Sequence, residues 1–379
     1  MAKKHKAASL AQDLRAERPV LVGAATTLIF FTVGAAWTSD NSNLAVTAAI
    51  FVWLFAVMIW CAFGVVRHAE VLAGHLGEPF GTLILTIAAV CVEVTIMATV
   101  MLTGDPNPTL PRDTVFAVLM IVLNGMIGIS VIAGAVRHRQ QQYNLQGAVA
   151  FLAVISCLAV VSLVLPTFTT STADHSMTTL QAIVFGLLTA LLYGGFLAIQ
   201  TMRHRAFFEE ARARVAGAEP AHEPGHGPKR SIGYHAALLF ITLLPVVLLA
   251  EQLAKVIDFG IETLHAPTTL GGILIAILIL SPEGLTSYQA ARRNELQRSV
   301  NLSLGSALST IGLTIPVMLA LSLAVGIPLQ LGLESAQAIL LVLTLFITQM
   351  TFSGAPTNIL LGSVHLVLFV TFIVLIFNP

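Results

Sequence analysis

The chain has 379 residues, of which 56% are hydrophobic and 10% are charged, and its formal net charge is zero. Soluble globular proteins carry about 25% charged residues, so this composition excludes an ordinary water-facing surface and indicates an integral membrane protein. The balanced charge gives no reason to expect a nucleic-acid partner. The cysteines lie inside apolar runs and predict no disulfide framework; they are Cys61, Cys91 and Cys157.

Eleven apolar runs follow one another along the chain. A helix that crosses a membrane needs about 20 mostly apolar residues, and each run is close to that length. The sequence therefore predicts an all-α integral membrane protein with about eleven transmembrane helices. The predicted spans are 20–37, 44–66, 79–102, 114–136, 145–165, 179–201, 235–257, 268–288, 299–325, 335–353 and 357–377.

The distribution of Lys and Arg between the loops predicts the orientation of these helices, because cytoplasmic loops carry an excess of both residues. With the N-terminus in the cytoplasm, 17 of the 19 Lys and Arg residues fall in cytoplasmic segments. The external loops then hold only Arg112, and Lys255 lies near a helix end. The sequence predicts a multi-pass protein of the cell's inner (plasma) membrane, with a cytoplasmic N-terminus and an external C-terminus.

The segment 202–234 separates two halves of the chain. It is rich in Pro, Gly, Glu and His and is predicted to be a flexible cytoplasmic linker. His222, Glu223 and His226 could bind a metal, but a solvated linker is favoured because a segment so rich in Pro and Gly gives no fold to support a site. The predicted division is an N-terminal tail with the first helix (1–43), a five-helix repeat (44–201), the linker (202–234) and a second five-helix repeat (235–379).

Two segments half a chain apart resemble one another. GTLILTIAAVCVE, residues 81–93, and GGILIAILILSPE, residues 271–283, both begin with Gly, end with Glu and are otherwise almost entirely apolar. The predicted topology runs the third helix outward and the eighth helix inward. The pattern therefore indicates one N-terminal helix followed by two inverted five-helix repeats, an architecture in which transporters bind their cargo at the interface of the repeats.

Glu93 and Glu283 lie deep in predicted membrane helices, at matched positions of the two repeats. A carboxylate at that depth is costly unless it faces a cavity, a partner or a proton. Packing against a neighbour would explain one such residue, but two matched ones favour a functional site. Both are therefore candidate ligands of a metal cation and of protons.

Oxygen-bearing side chains accompany the two glutamates at helical spacing. Pro282 should bend or open the eighth helix, because it lacks the N–H that would bond the carbonyl near Leu278, and a freed carbonyl can coordinate a cation. Carboxylates, carbonyls and hydroxyls suit Ca2+, Na+ or K+ better than soft metals. The secondary candidates near the glutamates are Thr86, Ser281 and Ser287.

The helix after each glutamate carries further polar candidates. Asn124 is the lone amide of the fourth helix, and Ser306 and Thr310 belong to a hydroxyl stripe on one face of the ninth. Small residues at such spacings commonly serve only close helix packing, which is the simpler explanation for the neighbouring glycines. A site-lining role is favoured for Asn124 and Ser306, because each lies one helix after its glutamate, and Thr310 is a secondary candidate.

Three other polar residues give weaker signals. Glu78 begins the third helix, where the helix dipole favours a carboxylate, and this explanation and a proton-entry role stay equally open. His365, in the last helix, and Gln349 are expected to be packing residues.

The segments LGEPFGTLILTIAAVCVEV and SPEGLTSYQAARRNELQRSVNLSLGSALSTIGLTIP resemble the two signature repeats of the bacterial ChaA-type calcium/proton antiporters. These are cation/proton exchangers of the wider sodium/calcium exchanger superfamily, and HRQQQYN, residues 138–144, is also similar to a family segment. The resemblance implies one central cation site with Glu93 and Asn124 from the first repeat and Glu283 and Ser306 from the second, where protons compete for the carboxylates. The commoner family pattern has Gly-Asn before each acidic residue, and its absence here leaves the cation preference open.

These observations predict a secondary active antiporter, not an enzyme, that exports Ca2+ in exchange for protons, with Na+ or K+ as alternative cations. No GxxxxGK[ST] sequence occurs, so ATP drive is not expected. A cation channel is disfavoured by the inverted repeat, and an intramembrane metal hydrolase by the lack of any His near Glu93 or Glu283 in the sequence. No cofactor is expected. The expected partners are the transported cation, protons and the lipid bilayer, and a homo-oligomer is compatible with the sequence.

Overall fold

The computed structural model of the protein is almost entirely helical. It describes residues 17–34, 37, 43–76, 80–103, 108–170, 177–203, 207–208, 231–327 and 329–378. In that part of the chain, eight helices are long and apolar enough to cross a membrane, and three further apolar helices are shorter. The predicted class, an all-α integral membrane protein, is confirmed, and the long and short helices together match the predicted spans.

We number the helices in chain order. The first six are α1 (Arg18–Ile29), α2 (Leu44–Leu76), α3 (Phe80–Thr103), α4 (Leu110–His138), α5 (Leu145–Phe168) and α6 (Thr179–Ala198). The last five are α7 (Ile232–Leu264), α8 (Thr269–Arg292), α9 (Leu296–Val325), α10 (Ser335–Thr351) and α11 (Ile359–Phe377). Several helices extend past the apolar runs that predicted them, because backbone hydrogen bonding continues beyond the last apolar residue.

Local capping signals explain where several helices begin. The side chain of Ser231 accepts the backbone N–H of Tyr234 at the start of α7. Thr178 and Gln181 form a reciprocal capping box at the start of α6. Such caps satisfy backbone donors that have no partner inside the helix, so they fix the first turn independently of the membrane.

Both α4 and α9 contain a wider π-helical turn. The turn in α4 covers Ile121–Met126 and the turn in α9 covers Thr310–Thr314. Their first residues lie 189 positions apart, against an offset of 190 between Glu93 and Glu283, so the turns occupy equivalent places in the sequence repeat. π-turns often mark functional sites, and each of these lies one helix after a candidate glutamate.

The helices form two compact units, and the first comprises residues 1–104 and 224–265. It therefore contains α1, α2, α3 and α7, with α2 packed along α7 and α1 in contact with both. Gly23 allows the close approach of α1, since a Cβ at that position would lie 2.6 Å from Sγ of Cys61 and 3.0 Å from Pro245. The units follow packing rather than sequence order, and the predicted repeat boundaries stay a prediction.

A polar cluster fastens the start of α1 to α2 and α7 within the first unit. The carboxylate of Glu17 accepts hydrogen bonds from Arg67 at 2.7 Å and from the hydroxyl of Tyr234 at 3.2 Å. His68 lies 3.1 Å from the same carboxylate through Nε2 and 3.1 Å from His235 through Nδ1. Because His68 is buried, these contacts satisfy polar groups that would otherwise be costly next to the apolar helices.

The second unit comprises residues 105–223 and 266–379 and contains α4, α5, α6 and α8 to α11. Here α8 packs against α4 and α9, α11 packs against α4, and α6 packs against α9. Every residue of α4 from Leu110 to Met120 is buried. The helix is therefore surrounded by protein over this stretch, which suits a segment that carries the candidate Asn124.

The loops of the second unit pair at its two ends. At one end the backbone N–H of Gln330 bonds the carbonyl of Pro108 at 3.0 Å, and that of Leu333 bonds the carbonyl of Leu163 at 2.8 Å. The alternating topology predicts that the loops around all four residues lie on the external side. The hydrogen bonds place these segments at the same end of the unit, which agrees with the number of helices predicted between them.

At the opposite end, the segment between α4 and α5 joins two other loops. Gln141 and Thr357 form a two-residue antiparallel bridge through their backbones. The side-chain amide of Gln141 also donates to the carbonyl of Ala291 at 2.8 Å. Because Gln141 is buried, this segment holds the loops after α8 and α10 together. It lies within the stretch 138–144 singled out in the sequence.

Candidate cation site

Glu283 lies in the second half of α8, at the contact of this helix with α4 and α9. Its carboxylate accepts a hydrogen bond from the side chain of Ser306 on α9. Its Oε2 atom is buried and has no hydrogen-bond partner among the described residues. A buried carboxylate oxygen without a donor is costly in apolar surroundings, so a proton or a cation would bind there favourably.

Glycines on α8 and α9 flank the contact between Glu283 and Ser306. No atom lies within 4 Å of a Cβ added at Gly305, which precedes Ser306 on α9. On the α4 side, a Cβ at Gly284 would lie 3.6 Å from Cγ of Met126, in the π-turn. The segment of α8 that carries Glu283 thus lies beside the turn that carries Asn124.

The α8 helix continues through Pro282 without interruption. The helix therefore does not open at this point, while the alternative, a bend, stays a prediction, because Pro282 still leaves the carbonyl of Leu278 without a helical N–H. Hydroxyl groups bond the carbonyls on either side: Ser281 donates to Ile277 at 2.5 Å, and Thr286 donates to Pro282 at 2.9 Å. These bonds add contacts within the helix, which is consistent with its continuity. Ser281 is thus engaged by its own helix.

Ser287, one turn after Glu283 on α8, is the centre of a serine cluster. Its hydroxyl lies 2.8 Å from that of Ser299 and 3.1 Å from that of Ser303, both on α9, and 3.2 Å from that of Ser130 on α4. All four side chains are buried. Each hydroxyl can both donate and accept, so the cluster satisfies itself and ties three helices together beside the glutamate.

Asn124 is fully buried in the π-turn of α4. Its amide nitrogen donates to the hydroxyl of Thr344 on α10 at 2.9 Å, and its oxygen lies 3.3 Å from Nδ1 of His365 on α11. The structure thus brings Ser306 to Glu283, whereas the contacts of Asn124 run to α10 and α11. The sequence predicted a site-lining role for Asn124, which stays a prediction, and it missed these partners.

The other candidates differ in how far the structure describes them. Glu93 is buried within α3, in the first unit. The side chain of Thr86 on the same helix lies outside the described part, as do Glu78 and the linker residues His222, Glu223 and His226. Within the described residues, no group of three His, Cys, Asp or Glu side chains is placed to hold a metal ion.

The π-turn of α9 carries two buried threonines. Thr310 and Thr314 are both buried, and the hydroxyl of Thr314 has no hydrogen-bond partner in the described part of the chain. The turn follows Ser306 by one helical turn. It therefore continues the hydroxyl-bearing side of α9 beyond the Glu283 contact.

A family model described as sodium/calcium exchanger protein matches the chain over residues 46–202 and again over residues 234–378. The chain belongs to the sodium/calcium exchanger family. The two matched ranges lie on either side of the predicted linker and together cover most of the chain. The resemblance noted in the sequence is confirmed.

Curated relatives of this exchanger include two bacterial transporters. The putative ionic transporter y4hA of Sinorhizobium fredii is 44% identical over 315 residues, which are 83% of this chain and 84% of the relative. The sodium-potassium/proton antiporter ChaA of Escherichia coli is 36% identical over 341 residues, which are 90% of this chain and 92% of the relative. The similarity thus extends over nearly the whole of both proteins.

The fold of the exchanger is also found among solved structures. The structure of native YfkE aligns with this chain with a TM-score of 0.73 at 17% sequence identity. The alignment covers 95% of this chain and 99% of the YfkE chain. A crystal structure of selenium-substituted YfkE describes that protein as a Ca2+/H+ antiporter. At 17% identity the alignment shows a shared fold, and that fold extends over 95% of this chain.

The family and its members establish the class of activity. The chain is a membrane-spanning secondary transporter, a cation antiporter of the cation/proton or sodium/calcium exchanger type, and not an enzyme. This confirms the transport class predicted from the sequence.

Proposed function

We propose that this exchanger exports Ca2+ in exchange for protons and that Glu93 and Glu283 bind either the cation or protons. The observation that carries the proposal is the carboxylate of Glu283, which accepts a bond from Ser306 and has a buried second oxygen without a described partner. Carboxylate and hydroxyl oxygens are ligands that suit Ca2+. Glu93, at the matched position of the first repeat, supplies the second negative charge that a divalent ion requires.

Competition for the same carboxylates would couple the two fluxes. A carboxylate in the membrane interior is stable when it is protonated or when a cation neutralises it. Binding of Ca2+ should therefore release protons, and a fall in pH should weaken Ca2+ binding because protons occupy the same oxygens. If the protein switches between inward-facing and outward-facing states only when the carboxylates are neutralised, it carries the cation in one direction and protons in the other.

Sodium or potassium is the second candidate cation. The relative at 36% identity from Escherichia coli is a sodium-potassium/proton antiporter. A monovalent ion would need one ionised carboxylate, with the other protonated throughout the cycle. Hydroxyl and amide oxygens, such as those of Ser306 and Asn124, suit these ions as well.

A flux assay with the purified protein in proteoliposomes tests the proposal. Under an imposed pH gradient we expect Ca2+ to move against the proton flow, measured with radioactive Ca2+ and an internal pH-sensitive dye. The matched control is liposomes without protein. Proton movement driven by Na+ or K+ but not by Ca2+ would support the second candidate, and cation flux that moves no protons would contradict both and indicate a channel.

We further propose that the N-terminus and the 202–234 linker are cytoplasmic and that the C-terminus is external. The support is the charge distribution of the loops. In a variant without Cys61, Cys91 and Cys157, we expect a membrane-impermeant maleimide applied to intact cells to label N378C and not A218C, while permeabilised cells label both. Labelling of A218C in intact cells would contradict this orientation.

A further inference from the structure

Four buried polar residues link α4, α10 and α11, away from the serine cluster. They are Asn124 on α4, Thr344 and Thr351 on α10, and His365 on α11, and none is more than 2% exposed. The polar contacts run from Thr351 to Nε2 of His365 (2.9 Å), from Nδ1 of His365 to Oδ1 of Asn124 (3.3 Å) and from Nδ2 of Asn124 to Thr344 (2.9 Å). We refer to these four residues as the histidine network.

The donors of this network run in one direction. The nitrogen of the Asn124 amide donates to the Thr344 hydroxyl, which in turn donates to Sδ of Met120 at 3.8 Å. The amide oxygen therefore faces His365, and it can only accept, which makes Nδ1 of His365 the protonated nitrogen of a neutral ring. Nε2 then accepts the Thr351 hydroxyl. The amide orientation and the tautomer are thus both assigned by the network.

His365 also contacts the backbone of the turn that carries Asn124. It hydrogen-bonds the backbone carbonyl of Leu123, within the π-turn Ile121–Met126, so the single N–H of the neutral ring is shared between this carbonyl and the oxygen of Asn124. A π-turn interrupts the regular ladder of helical hydrogen bonds and needs outside partners for its carbonyls. His365 therefore supports both the backbone of the turn and the side chain that the turn presents.

A close contact between glycines brings α11 into this position. A Cβ at Gly362 would lie 2.9 Å from the carbonyl of Gly128, and one at Gly128 would lie 3.1 Å from the carbonyl of Gly362. Gly128 lies one turn after Asn124, and Gly362 lies one turn before His365. The small residues let the two backbones touch, so the imidazole reaches the amide directly.

We propose that His365 is a positioning residue of the cation site, which fixes the oxygen of Asn124 in the orientation that binds the cation. The inference rests on the proposed function and on the predicted role of Asn124 as a ligand of the transported cation. The Nδ1–H of His365 occupies one lone pair of the amide oxygen and leaves the other for the ion. Without that donor the amide can turn by 180° and present N–H groups, which repel a cation.

Replacing His365 by Asn or by Gln tests this role, because the two side chains have the same amide group but place its N–H donors at different positions. The amide nitrogen of Asn can occupy about the place of Nδ1, whereas the amide of Gln reaches about the place of Nε2. Loss of a group that orients a metal ligand typically lowers cation affinity about 10- to 100-fold. We expect the KM for the transported cation to rise at least tenfold in His365→Gln and to stay within about threefold of wild type in His365→Asn.

Phe372→Leu is the matched control on the same pair of helices. Phe372 is buried on α11 and packs edge-on against Phe116 of α4, with 5.5 Å between ring centroids. Its loss should lower thermal stability in detergent and leave the KM of the inserted protein unchanged. A His365→Gln variant that behaves in the same way, less stable but with the wild-type KM, would overturn the positioning role.

The same measurements separate this inference from the proposed function. Wild-type exchange of a cation for protons with an unchanged KM in His365→Gln would leave the function standing and refute the role of His365. If the wild-type protein exchanges no cation for protons, the proposed function fails and the inference fails with it. A raised KM in His365→Gln, with rescue by His365→Asn, supports the role.

Discussion

Replacing Glu283 by Gln should abolish proton-driven cation exchange while the protein still folds and inserts. The substitution keeps the shape of the side chain but removes the negative charge and the protonation site together. An amide costs less than a carboxylate in the membrane interior, so insertion should not suffer. Its NH2 group would also stand where the buried Oε2 now has no described partner, and N–H donors repel a cation. We expect a loss of at least about 100-fold in flux, since a charged ligand of a metal site is removed.

Glu93→Gln should have the same effect, because Glu93 occupies the matched position in the first repeat and is also buried. Flux in proteoliposomes containing equal amounts of inserted protein is the measurement. Glu295→Gln is the control for the chemical change itself. That residue forms a partly exposed ion pair with Arg298 at 3.7 Å, which contributes little, so exchange should stay near wild type. Near-normal exchange in both Glu93→Gln and Glu283→Gln would refute the shared role of the two glutamates.

The contact of Ser306 with Glu283 shows how much of the candidate site local patterns could predict. Two regular features led to both residues: a repeated apolar segment that ends in Glu, and a hydroxyl stripe at helical spacing on the next helix. Adjacent helices in the chain often pack together, so residues at similar depth come into contact. The serine cluster extends the same logic, since Ser287 and Ser303 belong to α8 and α9.

The partners of Asn124 could not be predicted in this way. His365 lies 241 residues further along the chain and Thr344 lies 220 residues further, and no periodicity relates helices that are so distant. The sequence therefore suggested that His365 was a packing residue, whereas the structure places it on the one amide of the π-turn. The glycine contact between α4 and α11 that brings the two together is a tertiary feature that glycine spacing alone does not specify.

The α8 helix shows the limit of a single-residue rule. Pro282 removes the donor that would bond the carbonyl of Leu278, which predicts a bent or open helix, yet the helix continues through this point without opening. The helix count was more robust, because it depends on the length of apolar runs and on the alternation of basic loops. A membrane requires both features along the whole chain.

Breaking the ion pair between Arg112 and Asp113 should destabilise the protein by about 3–5 kcal/mol, because removing one partner leaves a buried charge without compensation. The pair lies in the first turn of α4, with both residues buried and 2.8 Å between Nε and Oδ1. Arg112 also donates to the carbonyl of Gly332 at 3.1 Å, and Asp113 accepts from Thr109 at 3.1 Å. The pair therefore joins the start of α4 to the loop before α10.

Thermal unfolding in detergent is the measurement, and Asp113→Ala should lower the midpoint by roughly 10 °C. The double variant Arg112→Met, Asp113→Leu is the informative comparison. It removes both charges and keeps apolar volume, so it should be closer to wild type than Asp113→Ala, since replacing a whole buried pair is often nearly neutral. A double variant at least as unstable as Asp113→Ala would mean that the hydrogen bond from Arg112 to Gly332, and not the buried charge balance, stabilises this end of the protein.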